Sequence, residues 1–365
     1  MMTPYRPELI LVQDQSWQDA ATCGILERLP GVETRTIHDL EAGSFGDNTL
    51  VLMRYPGRFL KKCQGAGAEL CCNYYVATYT WNCHLKCSYC VLQSYLSNEA
   101  LLVCTNIGGL LDEVKETLEQ SPGRMFRIGT GELADSLALD SITGYSRQIV
   151  PFFASLPNGI LELKTKSDQI ANLGDLDHRG HTIVSWSMNA KRICSTEERK
   201  AAAFEERLAA ALQCQKWGYK IGFHFDPLIY YQEWENEYEE AVKEILSAVN
   251  PDNVAYISLG ALRFTPHLRE LVRRRYPESR VPYGEFVPGH HGKLRYFRPI
   301  RQEMYRKMIS WIHAAAPRVL VYLCMESRVV WQRAFRDCQV PADSNQLELM
   351  IQRELIRDSR FEIRD

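Results

Sequence analysis

Apolar runs of strand length alternate with longer segments of helical periodicity from about residue 74 to residue 324. Repeated strand–helix–strand connections produce a parallel sheet with helices packed outside it. About six such units suit a barrel or partial barrel, in which the chemistry lies at the carboxyl ends of the strands. We predict strands at 74–80, 101–105, 125–129, 159–164, 182–187, 219–225, 254–259 and 319–323, and helices near 108–119, 141–154, 199–216, 235–248, 267–275 and 300–315.

Smaller segments flank this barrel region on both sides. Residues 1–62 combine short apolar runs with one helical pattern and predict a small α/β unit. We place the barrel at 63–325, with a flexible hairpin or lid near 280–298, where Gly and Pro interrupt the pattern. The charged, amphipathic residues 326–365 predict a C-terminal helical extension.

Composition excludes several protein classes. Hydrophobic residues make up 45% of the 365 residues and charged residues 24%, which excludes wholesale disorder. The 43 Lys and Arg against 45 Asp and Glu give a net charge of −2, which argues against coating of nucleic acid by bulk charge but allows a local basic groove. The first apolar run, residues 9–12, is too short for a signal segment, and no later stretch approaches a membrane span. We therefore expect a cytoplasmic protein without a membrane partner.

Three of the twelve cysteines, Cys83, Cys87 and Cys90, follow the first predicted barrel strand with the spacing C-x3-C-x2-C. Three thiolates on one short loop can ligate three irons of a [4Fe–4S] cluster and leave the fourth iron open. Zinc is an alternative, with His84 as fourth ligand, although adjacent ligands strain its geometry. Three unrelated thiols in a turn are a further interpretation. The spacing, with the aromatic Tyr89 before the last cysteine, resembles the signature of radical S-adenosylmethionine (SAM) enzymes.

An iron with an open site can be chelated by the amino and carboxylate groups of SAM. An electron from the reduced cluster then breaks the S–C5′ bond and gives methionine and a 5′-deoxyadenosyl radical, which abstracts a hydrogen atom. Polar residues at other predicted strand ends suit this cofactor. The candidates are Gly131 and Glu132 for the amino group, Lys166 for the carboxylate, and Ser187 and Asn189 for the ribose.

These candidates also have structural interpretations. Gly131 fits an ordinary turn at a strand end, and Lys166 fits one half of an exposed pair with Lys164. His224 and Asp226 share one face of a predicted strand. They either contact substrate in the lumen or form a hydrogen-bonded pair that supports the barrel.

The chain resembles the spore photoproduct lyase family of radical SAM proteins. The resemblance covers about residues 8–324 and is carried by the segments 83–93, 129–140, 164–168, 186–189, 218–227 and 263–277. It implies a partial (β/α)6 barrel. It also implies direct reversal of a thymine dimer in DNA, begun by hydrogen abstraction from the lesion, with SAM as a recycled cofactor.

The family resemblance also implies roles for individual residues. The cluster ligands carry over to Cys83, Cys87 and Cys90, the adenine-side aromatic to Tyr89, the amino-group contacts to Gly131 and Glu132, the carboxylate lysine to Lys166, and the ribose-side serine to Ser187.

Two positions depart from the family pattern. Val91 stands where the repair enzymes have a tyrosine, and Gly129 stands where they have a cysteine; these two residues donate and relay the hydrogen atom that quenches the product radical. Cys104 or Cys324, each predicted at the end of a barrel strand, is a substitute donor or else a core cysteine. The departures leave open a family member that acts on a small molecule or a modified nucleoside.

A basic segment predicts the DNA-binding surface. Cations alternate with Tyr and Phe in residues 293–301, which include Arg295 and Tyr296 and suit phosphate contact and base stacking. The arginines of 269–280 belong to the same surface, and an ordinary solvated helix face with a loop is the alternative. Arg263 is a further candidate for contact with the substrate.

Three further cysteines, Cys63, Cys71 and Cys72, have no regular spacing. We interpret them as structural or incidental thiols rather than as an auxiliary cluster. The sequence as a whole predicts a radical SAM enzyme with a [4Fe–4S] cluster, SAM and a low-potential electron donor, repairing a pyrimidine photoproduct in DNA. A cluster- or zinc-holding DNA-binding protein without catalysis is the alternative from another functional class.

Overall fold

The computed structural model describes residues 2–38, 45–63, 69–96, 98–289, 292–335 and 340–356. His290 and His291, at the tip of the predicted lid, and the end of the predicted extension lie outside these ranges. None of the helices in the described ranges has both the length and the apolar character needed to cross a bilayer.

The strands form four sheets. In chain order they are β1 Leu9–Gln13, β2 Glu33–Ile37, β3 Thr49–Met53, β4 Leu60–Lys62, β5 Glu69–Leu70, β6 Tyr75–Ala77, β7 Thr80–Trp81, β8 Leu101–Cys104, β9 Phe126–Gly129, β10 Gly159–Thr165, β11 Thr182–Ser187, β12 Lys220–Leu228, β13 Val254–Ala261, β14 Arg263–Phe264, β15 Phe286–Pro288, β16 Leu294–Tyr296, β17 Val321–Leu323 and β18 Glu326–Ser327.

The helices connect and cover these strands. In chain order they are α1 Ala20–Arg28, α2 Leu92–Tyr95, α3 Ile107–Glu119, α4 Asp140–Thr143, α5 Ser146–Ala154, α6 Lys191–Glu197, α7 Phe204–Lys216, α8 Trp234–Ala248, α9 Pro266–Arg275, α10 Arg298–Ala315, α11 Arg328–Ala334 and α12 Ser344–Ile356, with short 3-10 turns at Asp14–Ser16, Ala171–Leu173, Pro251–Asn253 and Val281–Tyr283.

The largest sheet has eight strands in the order β17-β13-β12-β11-β10-β9-β6-β4. Its neighbours pair in parallel from β17 to β6, and only β4 runs antiparallel to β6. Every residue of β11 and of β13 is buried, as expected for parallel strands covered on both faces. The chain therefore has a mixed α/β fold built on a curled, half-barrel sheet, which confirms the predicted parallel sheet.

The second sheet has five strands in the order β2-β1-β3-β8-β7 and includes two strands that we had assigned to the barrel. The prediction for 101–105 is wrong in this respect: β8 pairs in parallel with β3 over four residues, and β7 pairs with β8. The predicted strand 74–80 is divided, so that β6 joins the large sheet and β7 the small one. The N-terminal sheet thus takes strands from both sides of residue 62.

Two small antiparallel sheets attach the remaining segments. Strands β15 and β16 of the predicted lid region form a small sheet together with β14, which precedes that region; this is the hairpin sheet. Strand β18 pairs with β5 and begins the predicted extension, whose described part contains the expected helices α11 and α12. Helix α12 reaches the large sheet, where Lys220 Nζ donates to the carbonyl oxygens of Glu354 and Leu355 at 2.9 and 3.1 Å.

A buried carboxylate joins the extension to the barrel. Glu326 is 2% exposed, lies 2.7 Å from Arg301 Nε on α10 and accepts a hydrogen bond from Tyr305 at 3.0 Å. We expect Glu326→Gln to lower the free energy of unfolding by about 3–5 kcal/mol, because it leaves a buried guanidinium without its counter-charge.

The matched control is Asp252→Asn, which breaks an exposed pair with Arg318. It should change the free energy of unfolding by no more than about 1 kcal/mol. Urea melts of the three proteins measure both effects, and equal losses for the two variants would contradict the assignment.

Candidate active site at the carboxyl ends of the barrel strands

A cavity of about 350 Å³ lies at the carboxyl ends of the strands of the large sheet. Its walls come from the loop after β7, the loop after β9, the ends of β10, β11 and β12, and the start of the hairpin sheet. Parallel strands place their carboxyl ends at one edge, so segments far apart in sequence meet here. The predicted site residues in the wall are Cys83, Cys87, Tyr89, Cys90, Gly131, Glu132, Lys166, Ser187, Asp226 and Arg263.

The three cysteines of the motif share this cavity as free thiols. Their loop folds back through two left-handed residues, Asn82 with φ 70° and Lys86 with φ 44°. The Asn82 amide holds the turn by donating to the carbonyl oxygens of Asn98 and Ala100, at 2.7 Å each. Burial raises the pKa of all three thiols, so a cationic iron centre is the kind of partner that would favour their thiolate forms.

His84 does not complete a site with these thiols. It is absent from the cavity wall, and its ring packs on Tyr5 with 4.9 Å between centroids. Within the described ranges, no three His, Cys, Asp or Glu side chains converge as the ligands of one ion would. Three thiols around one cavity are the ligand set that a [4Fe–4S] cluster with one open iron requires.

A buried carboxylate that the sequence did not reveal lies behind the cysteine loop. Glu198 accepts a hydrogen bond from the Tyr89 phenol and forms ion pairs with Arg207 at 2.6 Å and Lys166 at 3.3 Å. Although burial opposes ionisation, these two cations hold the pKa of Glu198 well below its usual range. Asn189 also donates to Glu198, at 3.2 Å, so this predicted ribose contact supports the wall from behind.

Gly131, in the loop after β9, has little room for a side chain. A Cβ on Gly131 would lie 2.9 Å from the Lys164 carbonyl oxygen, which leaves the backbone edge open to the cavity. Asp135 fixes the loop to β10 by accepting hydrogen bonds from the Lys166 amide at 2.7 Å and the Thr165 hydroxyl at 2.6 Å. Glu132 projects at the rim; burial raises its pKa, against the effect of neighbouring lysines.

The floor below the cavity is a closed polar network. Glu162 lies 3.1 Å from Arg127 and 2.7 Å from His224, and the second ring nitrogen of His224 lies 2.5 Å from the Ser258 hydroxyl. Ser185 donates to the same carboxylate at 2.8 Å. His224 is thus a supporting residue of the barrel, although its partner is Glu162 and not Asp226.

Asp226 instead forms a bidentate ion pair with Arg263, at 3.1 and 3.2 Å, in the cavity wall.

The comparison with known proteins decides the family of the chain: the sequence model of the spore photoproduct lyase family matches residues 67–319. This chain belongs to the spore photoproduct lyase family. The resemblance seen in the sequence is therefore confirmed.

The curated proteins that are similar to this chain are named spore photoproduct lyase. The chain is 23% identical over 241 residues to the spore photoproduct lyase of Clostridium acetobutylicum, and the match covers 63% of this chain and 70% of the relative. It is 24% identical over 215 residues to that of Bacillus subtilis, covering 58% and 63%. These relatives are enzymes of a radical SAM lyase family.

Solved structures share the fold. A doubly substituted spore photoproduct lyase with bound AdoMet and dinucleoside spore photoproduct superposes with a TM-score of 0.80 at 21% identity, covering 88% of this chain and 100% of that chain. A spore photoproduct lyase complexed with dinucleoside spore photoproduct gives a TM-score of 0.79 at 22% identity, with the same coverage.

The two departures from the family pattern occupy different places. Val91 lies in the cavity wall. At Gly129 a side chain is excluded, because its Cβ would lie 1.3 Å from the Tyr74 hydroxyl. Tyr74 directly precedes β6, and the centre of its ring lies 4.7 Å from Cζ of the Arg127 guanidinium.

The two candidate hydrogen-atom donors, Cys104 and Cys324, lie at strand ends of different sheets. Cys104 is fully buried at the end of β8 in the N-terminal sheet, so the prediction that it ends a barrel strand is wrong. Cys324 follows β17 of the large sheet, and its sulfur lies 3.9 Å from Arg263 Nη2.

Part of the predicted basic surface lies in the interior. Arg295 is 7% exposed and forms an ion pair with Glu69, and Tyr296 is 2% exposed and accepts a hydrogen bond from the Tyr230 amide. The prediction of an exposed contact at these two positions is wrong, because β16 is the central strand of the hairpin sheet. Among the described residues, exposed cations without an ion pair stay available nearby at Arg274, Arg280 and Arg298.

Three further cysteines, Cys63, Cys71 and Cys72, lie together beside Arg127. The Cys71 thiol is in hydrogen-bonding contact with Cys63 and Cys72, and Arg127 donates to the Cys72 sulfur at 2.9 Å. None of the three lies in the cavity wall.

The Asp226–Arg263 pair predicts a pH dependence. Against the cost of burial, Arg263 lowers the pKa of Asp226 to about 2, below the ~3.9 of an unfolded chain. The stabilisation that the ion pair contributes is complete at a pH above the pKa of this carboxyl in the unfolded chain, and it is lost as the pH falls through about 2. The free energy of unfolding should therefore fall more steeply between about pH 4 and pH 2 for the wild type than for Asp226→Asn, and equal slopes in urea melts would contradict the pairing.

Proposed function

We propose that this protein is a radical SAM lyase that repairs a pyrimidine photoproduct in DNA, with its site in a partial (β/α)6 barrel of about residues 63–325. The observation that supports this most is that one cavity is lined by the three motif thiols, by Arg263 and by five predicted SAM contacts, namely Tyr89, Gly131, Glu132, Lys166 and Ser187. The family assignment agrees with it.

Cys83, Cys87 and Cys90 would hold three irons of a [4Fe–4S] cluster, and the open fourth iron would take SAM. When bound and reduced, this pair supplies a 5′-deoxyadenosyl radical that abstracts a hydrogen atom from the substrate. The Lys166 ammonium would pair with the methionyl carboxylate, while Glu132 and the open backbone at Gly131 would receive the amino group. Ser187 would donate to the ribose, and the Tyr89 ring would lie beside the adenine.

Substrate would enter past the hairpin sheet. Arg263 lies in the wall at this entrance, and the exposed Phe297 and the free cations of this region suit base stacking and phosphate contact. Relatives of the same fold hold a dinucleoside spore photoproduct. These relatives support such a lesion as the substrate, rather than a small molecule or another modified nucleoside.

Cys324 is the better candidate for the hydrogen donor. Burial raises the pKa of its thiol to about 12, which keeps the S–H bond intact at neutral pH. The thiol would give one hydrogen atom to the product radical and become a thiyl radical. A low-potential electron donor would return it to the thiol with one electron and one proton.

The cluster assignment predicts the metal content of two variants. Cys90→Ala should abolish iron binding after anaerobic reconstitution, because it removes one of three ligands. His84→Phe keeps a ring against Tyr5 and should retain wild-type iron content. Iron and zinc analysis measures both; loss of one zinc ion per chain in His84→Phe would establish the zinc alternative.

The proposed reaction predicts two products. The reduced protein should form 5′-deoxyadenosine from SAM, and with DNA that carries a deuterated spore photoproduct it should release thymine and move deuterium into 5′-deoxyadenosine. Chromatography with mass spectrometry detects both. Formation of 5′-deoxyadenosine without thymine recovery would remove the repair claim, and absence of both would remove the enzyme claim.

A further inference from the structure

Two consecutive glutamates meet two consecutive residues of the cysteine loop. The Ser88 hydroxyl donates to the Glu197 carboxylate, and the Ser88 amide donates to the Glu197 carbonyl oxygen at 2.8 Å. One residue further, the Tyr89 phenol donates to Glu198. The end of α6 thus holds the loop segment that lies between Cys87 and Cys90.

The two glutamates differ in their other partners. Glu197 accepts a second hydrogen bond from the Ser279 hydroxyl, at 2.8 Å, which is a neutral contact outside the cavity wall. Glu198 is 1% exposed and pairs with two cations, Arg207 and Lys166. Of these two glutamates, only Glu198 therefore connects the cysteine loop with a cation of the cavity wall.

Arg207 makes this connection rigid. Its guanidinium is completely buried and also donates to the carbonyl oxygens of Ala202 at 2.8 Å and Ser187 at 3.0 Å. The carboxylate of Glu198 is consequently fixed against the end of β11. Lys166 reaches it from the end of β10, with 13% of its side chain exposed and its ammonium 5.9 Å from the centre of the Tyr89 ring.

We propose that Glu198 is a positioning residue that sets Lys166 and the Tyr89 loop relative to each other, and thereby sets the affinity for the carboxylate of SAM. This inference rests on the proposed function, because it takes the cavity to hold SAM beside the cluster. A carboxylate shared by an ammonium and a phenol fixes both donors, and loss of one donor leaves the other less ordered.

The test removes one hydrogen bond and leaves the ion pairs in place. Tyr89→Phe keeps the ring and deletes the phenol that reaches Glu198. Ser88→Ala is the matched control, because it deletes the neighbouring bond to Glu197, which holds no cation. Both proteins are reconstituted anaerobically, and their iron content, thermal melting and SAM dissociation constant are measured, the last from the change that SAM causes in the EPR spectrum of the reduced cluster.

We expect Tyr89→Phe to retain wild-type iron and to bind SAM about tenfold more weakly, the size expected for one hydrogen bond to a charged group. Ser88→Ala should bind SAM within about twofold of the wild type. Wild-type affinity in Tyr89→Phe, or equal weakening in both variants, would overturn the inference.

A double-mutant cycle separates this positioning from direct contact of the phenol with SAM. In a Lys166→Met background, Tyr89→Phe should weaken SAM binding by less than about twofold, because the lysine through which the Tyr89 phenol acts is absent. A full tenfold effect in that background would show that the phenol touches SAM itself and would overturn the inference. A wild-type protein whose EPR spectrum does not respond to SAM would instead overturn the proposed function, and this inference with it.

Discussion

Charge pairing of buried carboxylates in and around the eight-stranded sheet is the interaction on which the rest of the structure depends. Glu162 is neutralised by Arg127, Asp226 by Arg263, and Glu198 by Arg207 and Lys166. An unpaired buried charge costs several kcal/mol, so each carboxylate requires its partner. These pairs allow a polar lumen to exist where a barrel of this size otherwise packs apolar side chains. The cavity above them therefore has walls that are both charged and rigid.

Strand geometry then determines which residues reach the cavity. Alternate residues of a strand point to the same face, so Glu162 and Lys164 of β10 share one face, Glu162 in the closed floor and Lys164 in the cavity wall. Lys166, directly after β10, also lies in the cavity wall. Below the cavity, the Tyr74 hydroxyl occupies the space that a side chain at position 129 would need, and residue 129 is a glycine. The same geometry explains why this chain accepts glycine at a position where the family resemblance implies a cysteine.

Much of the fold followed from the sequence, because the strands of the large sheet contain apolar segments of strand length, and helical patterns follow β9, β11 and β12. The sheet that a short strand joins is decided by its pairing partner, which is why β8 was misassigned. Among the residues of the cavity wall, the motif cysteines and Lys166 could be predicted from spacing and strand ends. Glu198 and Arg207 lie in no motif, and only the packing of α6 and α7 on the sheet brings them to the site. Arg295 and Tyr296 have a surface-like composition, but a central strand position buries them.

The account depends most on a cluster with one iron free of protein ligands. Mössbauer spectroscopy of the protein reconstituted anaerobically with ⁵⁷Fe, recorded with and without SAM, tests this directly. We expect a [4Fe–4S] spectrum in which SAM changes the signal of one iron in four, because three thiolates leave one corner for the cofactor. Four irons that do not respond to SAM, or a protein that takes up no iron, would contradict the account.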